Sequence, residues 1–216
     1  MPRATEVLDQ TPGLATRTLR AGASRQDPLN YFLIPIQHHV YSGDMALHVA
    51  AAAHDSVLAP LLIAQGATAR ARNRRGAEPL HDAADGRPGA DWDPEAQREL
   101  ISSLVDAGAD PDASDKSGVA PLHRAVRTRS SGAVIALIEK GADPLVMNKS
   151  GSTPLHLAVQ NTGKSNSGSE AAKEEQQRII VLLLGYGARP SDRDPKGKTV
   201  AAAASSDWIR QLLSTY

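Results

Sequence analysis

The chain has 216 residues, of which 41% are hydrophobic, so it can bury a core and is not expected to be disordered over most of its length. Its 24 basic and 24 acidic residues cancel, which argues against a general electrostatic attraction to nucleic acid or to an acidic membrane. The absence of cysteine excludes disulfides, thiolate metal sites and cysteine nucleophiles. With no signal peptide and no apolar stretch of roughly 20 residues, the sequence predicts a soluble, cytoplasmic protein.

A short motif recurs along the chain. Residues 118–123 read Gly-Val-Ala-Pro-Leu-His, residues 76–81 and 151–156 are close copies, and residues 43–48 are a looser copy. Each copy is followed by an apolar run that ends in Gly-Ala, with the glycine at position 66, 108, 141 or 187. The next motif begins with a glycine at position 76, 118, 151 or 197, here called the finger glycine, and its distance from the preceding Gly-Ala glycine is always the same. The distance from Gly43 to Gly66 also equals that from Gly118 to Gly141. One step of each kind adds up to a period of about 33 residues.

A Gly-x-x-Pro-Leu-His motif with this period and a downstream Gly-Ala resembles the ankyrin repeat. The resemblance implies an all-α solenoid, in which each repeat is a β-hairpin-like finger followed by two antiparallel helices. Pro79, Pro121 and Pro154 are expected in the first turn of a helix, where a missing N–H is tolerated. The glycines of the Gly-Ala pairs are expected to end helices in the left-handed conformation.

The repeat pattern divides the chain as follows: an N-terminal cap or degenerate half repeat (1–24), an extended first finger (25–42), repeat 1 (43–75), repeat 2 (76–117), repeat 3 (118–150), repeat 4 (151–196) and a C-terminal capping repeat (197–216). Repeats 2 and 4 are longer than the regular repeat between the motif glycine and the helix-ending glycine, where they run from 76 to 108 and from 151 to 187. The extra residues are placed in loops at 85–93 and 161–169.

The first finger contains an insertion, because the step from Gly22 to Gly43 is about twice as long as the corresponding step in the other fingers. It includes an apolar stretch with Tyr31 and Phe32, which predicts an extended arm. Two interpretations remain open. The arm can fold back as a lid over the first repeat, or it can form an apolar contact surface for a partner.

Seven histidines raise the question of metal binding or catalysis. Four of them, at positions 48, 81, 123 and 156, belong to the repeated motif, and the resemblance implies that their rings bond the backbone of the finger loops. His38 and His39 lie in the insertion, but neighbouring residues of an extended strand face opposite sides, and zinc needs three or four convergent ligands. No motif brings an acid, a base and a nucleophile together. We therefore expect no enzyme activity, no metal and no cofactor.

The resemblance implies that a protein partner binds in a concave groove formed by the finger tips and the inner helices. The positions expected to contact it are Arg74, Arg75, Asp85, Lys116, Val119, Arg127, Lys149, Gln160 and Asn161, together with Tyr31 and Phe32 of the first finger. The basic side chains among them allow two interpretations: they complement a partner with an acidic segment, or they keep the turns soluble, since lysine at the finger tips is common in the family that the chain resembles. Arg124 is expected to strengthen the basic side.

The function that follows is a non-catalytic protein–protein interaction module, an adaptor or scaffold. The alternative is a small-ligand or metal sensor built on the first finger and its histidines, and a third possibility is a stabilising subunit beside an enzyme. The alanine- and arginine-rich composition without cysteine suggests a bacterial protein.

Overall fold

The computed structural model describes residues 6–8, 10–11, 13–86, 92–160 and 169–216. The helices that it shows there are α1 (Ala46–Ala52), α2 (Leu58–Ala64), α3 (Pro79–Ala84), α4 (Pro94–Asp106), α5 (Pro121–Arg127), α6 (Ser131–Glu139), α7 (Pro154–Ala158), α8 (Glu170–Gly185), α9 (Val200–Ala203) and α10 (Asp207–Leu213). Of the two long loops expected from the sequence, residues 87–91 and 161–168 lie outside the described part.

The helices form two layers. Helices α1, α3, α5 and α7 stack on one another as an inner row, and α4, α6 and α8 stack as an outer row behind them. The motif leucines Leu47, Leu80, Leu122 and Leu155 of the inner row are fully buried. One continuous core therefore runs between the two rows, and the expected all-α solenoid is confirmed.

Each inner helix begins and each helix pair ends by the expected local rules. Pro79, Pro121 and Pro154 occupy the first turns of α3, α5 and α7. The glycines of the Gly-Ala pairs have φ values of 92°, 94°, 95° and 100°, a conformation that glycine adopts without a Cβ clash. Asp93 caps α4 by accepting the N–H groups of Glu95 and Ala96.

The first finger contains the only paired strands in the described part of the chain, β1 (Phe32–Leu33) and β2 (His38–His39). They run antiparallel, with Phe32 opposite His39, and a short turn at Ile34–Ile36 joins them. The Phe32 and His39 rings pack with their centroids 4.6 Å apart. The insertion thus folds into a small hairpin at the N-terminal end of the array.

Candidate interaction surface

The tips of the fingers are built by one repeated device. An Asn or Asp three residues before the finger glycine accepts two backbone N–H groups across the turn; in repeat 3, Asp115 Oδ1 accepts from Ser117 at 2.7 Å and from Val119 at 3.0 Å. The glycine itself has a positive φ, 72° at Gly118. Asn73, Asn148 and Asp194 make the equivalent bonds in the neighbouring fingers. These four tips therefore share one turn conformation; the first finger has Val40 at the equivalent position.

Backbone hydrogen bonds connect each tip to the one before it. The N–H of Arg74 donates to Ser42 O at 2.7 Å, and the N–H of Lys116 donates to Arg75 O at 2.9 Å. The N–H of Lys149 continues the series to Ser117 O at 3.2 Å. The first four tips thus form a hydrogen-bonded ladder that fixes their spacing.

The ladder ends at the last finger, because Pro195 takes the position of Arg74, Lys116 and Lys149 and has no N–H to donate. Pro195 packs directly against Gly151 of the preceding tip. The C-terminal unit is linked to repeat 4 by the Ser205 side chain and N–H, both of which bond Val159 O.

The motif histidines connect the repeats beneath the tips. In His48, His81 and His123, Nδ1 accepts a backbone N–H at the start of its own helix, so the proton lies on Nε2. Nε2 then donates to a carbonyl of the next finger, at 3.3, 3.0 and 3.0 Å. Burial, followed by the nearby Arg124 cation, lowers the pKa of His81 to about 4. Burial also lowers the pKa of His123, so the rings of His81 and His123 act as neutral structural links. The bonds of the three rings to the backbone of the next finger are those that the resemblance implied.

His156 departs from this pattern. Its Nδ1 lies 2.8 Å from the Thr153 hydroxyl and 3.4 Å from the Thr153 N, but its buried Nε2 has no hydrogen-bond partner. The last junction therefore lacks both bonds that join the earlier repeats.

The basic residues expected on the tips are exposed, but they differ in how many hydrogen bonds their side chains already make within the chain. Arg74 donates to Ala23 O at 2.7 Å, and Arg75 donates to the Tyr41 hydroxyl at 3.0 Å with its guanidinium 5.0 Å from the ring centroid. Arg74 is thus held by the segment before the first finger, and Arg75 by Tyr41 near the end of that finger. Lys149 Nζ lies 2.7 Å from Lys116 O, while the Lys116 side chain is exposed.

Arg124 does not contribute to a basic surface, which corrects the expectation from the sequence. Its side chain is 5% exposed, and its Nη1 donates to Asp82 Oδ1 at 2.8 Å and to Asp85 Oδ2 at 2.9 Å. Burial raises the pKa of Asp85, although Arg124 opposes that rise. Asp85 is thereby committed to an internal ion pair across two repeats, and only Arg127, 55% exposed and 3.9 Å away, extends from this cluster to the surface.

The sequence did contain a signal for this pair. Asp82 and Arg124 each directly follow the motif histidine, in consecutive repeats, so stacked inner helices bring the two opposite charges together.

The remaining predicted positions are spread along the same face. Val119 is half-buried and its carbonyl accepts the His81 bond, whereas Gln160 is exposed at the end of α7. Asn161 lies outside the described residues. In the first finger Tyr31 and Phe32 are half-buried, while Leu29 and Ile34 are 81% and 72% exposed. The finger therefore has both a covered and an open apolar side.

Asp44, His48 and Asp82 bring possible metal ligands within 4.8 Å of one another. The set does not suit a metal ion, because Nδ1 of His48 accepts the Met45 N–H and its Nε2 carries the proton that faces Ala77 O. Asp44 already accepts bonds from Asn73 and Tyr41 at its two oxygens. The three residues form a buried polar link between repeats.

Comparison with known families agrees with the fold. The family model described as ankyrin repeats (3 copies) matches residues 94–167, and the model described as ankyrin repeat matches residues 150–195. These matches support an ankyrin repeat assignment for residues 94–195, and proteins of this family are generally protein–protein interaction modules and typically non-catalytic. A search of curated proteins found no match. In the ranges that the structure describes, no helix is long and apolar enough to span a membrane.

Proposed function

We propose that this chain is a non-catalytic adaptor or scaffold of the bacterial cytoplasm, which binds a protein partner along the face formed by the finger tips and the inner helices. The observation that carries the proposal is the exposure of Lys116, Arg127 and Lys149 on that face. These three side chains do not pack in the core. The finger tips hold two of them, Lys116 and Lys149, at regular positions on the surface. Their common charge favours a partner with an acidic segment.

The first finger supports a second part of the same surface. Leu29 and Ile34 expose large apolar side chains on a hairpin whose opposite side is partly covered. Exposed apolar residues near a charged surface are typical of partner contacts. We propose that the finger adds an apolar anchor to the basic tips.

The test compares three proteins in pull-downs from the native lysate, with bound proteins identified by mass spectrometry. They are the intact chain, a variant lacking residues 29–40, and the charge reversal Arg75→Glu/Lys116→Glu/Arg127→Glu. A charge-matched control reverses Lys140, Lys173 and Arg178, which belong to the outer layer. Circular dichroism must first show that each variant melts cooperatively.

We expect one partner to be retained by the intact chain and the outer control, and to be lost from the tip reversal. Loss from the finger deletion alone would restrict the site to the finger. A partner retained by both variants, or lost equally from the outer control, would refute the proposed surface.

A further inference from the structure

The charge of the finger tips is more one-sided than the chain as a whole. The two residues before each finger glycine, here called the tip pair, are Tyr41–Ser42, Arg74–Arg75, Lys116–Ser117, Lys149–Ser150 and Pro195–Lys196. Five of these ten residues are cations and none is an acid, although the chain has equal numbers of both. Solubility does not explain this choice, because added Asp and Glu improve solubility more than Lys and Arg do.

The ladder of hydrogen bonds gives these cations a regular spacing. Arg74, Lys116 and Lys149 occupy the same position in three consecutive tips, and each donates its N–H to the tip before it. Consecutive inner helices pack about 8–10 Å apart, so the cations repeat at about the same interval. A polyproline II segment has three residues per turn and rises about 3.1 Å per residue, so every third side chain lies on the same face, about 9 Å from the next.

The side chains of the two lysines follow the ladder. The stem of Lys116 lies against Gly76 and that of Lys149 against Gly118, so each lysine extends toward the preceding tip. Lys149 Nζ reaches Lys116 O, which uses one of its three N–H donors and leaves two for a ligand. The Lys149 ammonium is thus held along the row of tips, and the stem of Lys116 is directed the same way.

We propose that the tip pairs bind an acidic segment in the polyproline II conformation that runs along the ladder, with a carboxylate at every third residue. This inference deepens the proposed function and rests on it. Lys116 and Lys149 form the centre of the site. Arg74 lies at one end, where its bond to Ala23 O still leaves donors free, and Lys196 lies at the other end, beyond Pro195.

The register, and not the charge alone, is what the experiment must test. The probes are fluorescent synthetic peptides of one composition, rich in Ser and Thr and with three glutamates. In the first peptide the glutamates occupy every third position, and in the second they are adjacent. A third peptide carries lysines in place of glutamates. Binding is followed by fluorescence anisotropy to the full chain at low and at high salt.

We expect the spaced peptide to bind about two- to fivefold more tightly than the clustered one, the value of one exposed ionic contact. The lysine peptide should not bind, and high salt should weaken the spaced peptide. Lys116→Glu/Lys149→Glu should reduce its affinity by about tenfold or more. The matched control, Lys173→Glu/Arg178→Glu on the outer helix α8, should not change it.

Equal affinity for the spaced and clustered peptides would overturn the inference, as would binding that survives the tip reversal. If neither acidic peptide binds while the pull-down still recovers a partner through the tips or the finger, the inference fails and the proposed function is retained. If the pull-down also recovers nothing, both fail.

Discussion

Replacing Arg124 with methionine tests the buried ion cluster most directly. The substitution keeps an unbranched apolar stem, so it leaves little empty volume, but it removes the cation between Asp82 and Asp85. Arg124 and Asp82 are 5% and 3% exposed, and their charged atoms lie 2.8 Å apart. The variant therefore leaves a carboxylate in the core without its partner.

The expected loss in the free energy of unfolding is about 3–5 kcal/mol at neutral pH, the cost of leaving a buried charge unpaired. A screened surface pair would cost only about 1 kcal/mol or less. The loss should shrink as the pH falls. Burial already raises the pKa of Asp85, and without Arg124 that pKa rises further above its unfolded value, so the penalty is full above the folded pKa and is relieved on protonation.

Urea unfolding followed by circular dichroism measures this loss, provided that the dependence on urea is unchanged. The control is Arg127→Met, because Arg127 is 55% exposed and lies 3.9 Å from the same Asp85 carboxylate. The double variant Arg124→Met/Asp82→Asn should recover part of the loss, since it also removes a buried charge. Equal effects of Arg124→Met and Arg127→Met, or no recovery in the double variant, would refute the reasoning.

Three further predictions concern the links between repeats. Because the pKa of His81 is lowered from 6.5 to about 4, the unfolded chain binds a proton that the folded chain does not, and stability should fall by about 3 kcal/mol as the pH drops through that interval. Melting curves of His81→Gln should lack this contribution, and an unchanged pH slope would contradict it. Gly118→Ala would place a Cβ 2.6 Å from Lys149 N, whereas Gly141→Ala meets no atom within 4 Å, and both have positive φ. We expect losses of about 2–3 and about 1 kcal/mol, respectively, in urea unfolding, and equal losses would argue against tight stacking of the tips. In hydrogen exchange, the amides of α9 and α10 should exchange faster than those of α5, because the last junction lacks the tip and histidine bonds; equal protection would show that packing alone couples the last unit fully.

Much of the fold could be predicted because ankyrin repeats are specified by local rules. A proline in the first helical turn, a glycine at the helix end and an Asn or Asp in the finger each act within a few residues. Their spacing repeats, so the boundaries of the helices could be placed without knowing how the repeats pack. Pro121, Gly141 and Asp115 illustrate the three rules.

The surface was harder to predict, because it depends on which residues meet between repeats. Arg124 was expected to add positive charge, but the stacking of α5 on α3 places it against Asp82. Arg75 was expected to contact a partner, and the path of the first finger brings the Tyr41 ring against it. Neither contact follows from the periodicity of one repeat, since each requires the register of two neighbouring segments.

Because the last junction lacks the tip and histidine bonds, the cations of the row differ in how firmly they are positioned before a ligand binds. Lys116 and Lys149 belong to tips whose backbones are bonded to their predecessors, so their positions are preorganised before any ligand arrives. Lys196 follows Pro195, where that bond is missing, and fixing it in a complex must cost more conformational entropy. Selectivity for one alignment of a ligand is therefore concentrated in the middle tips, while the C-terminal end tolerates variation in what it contacts.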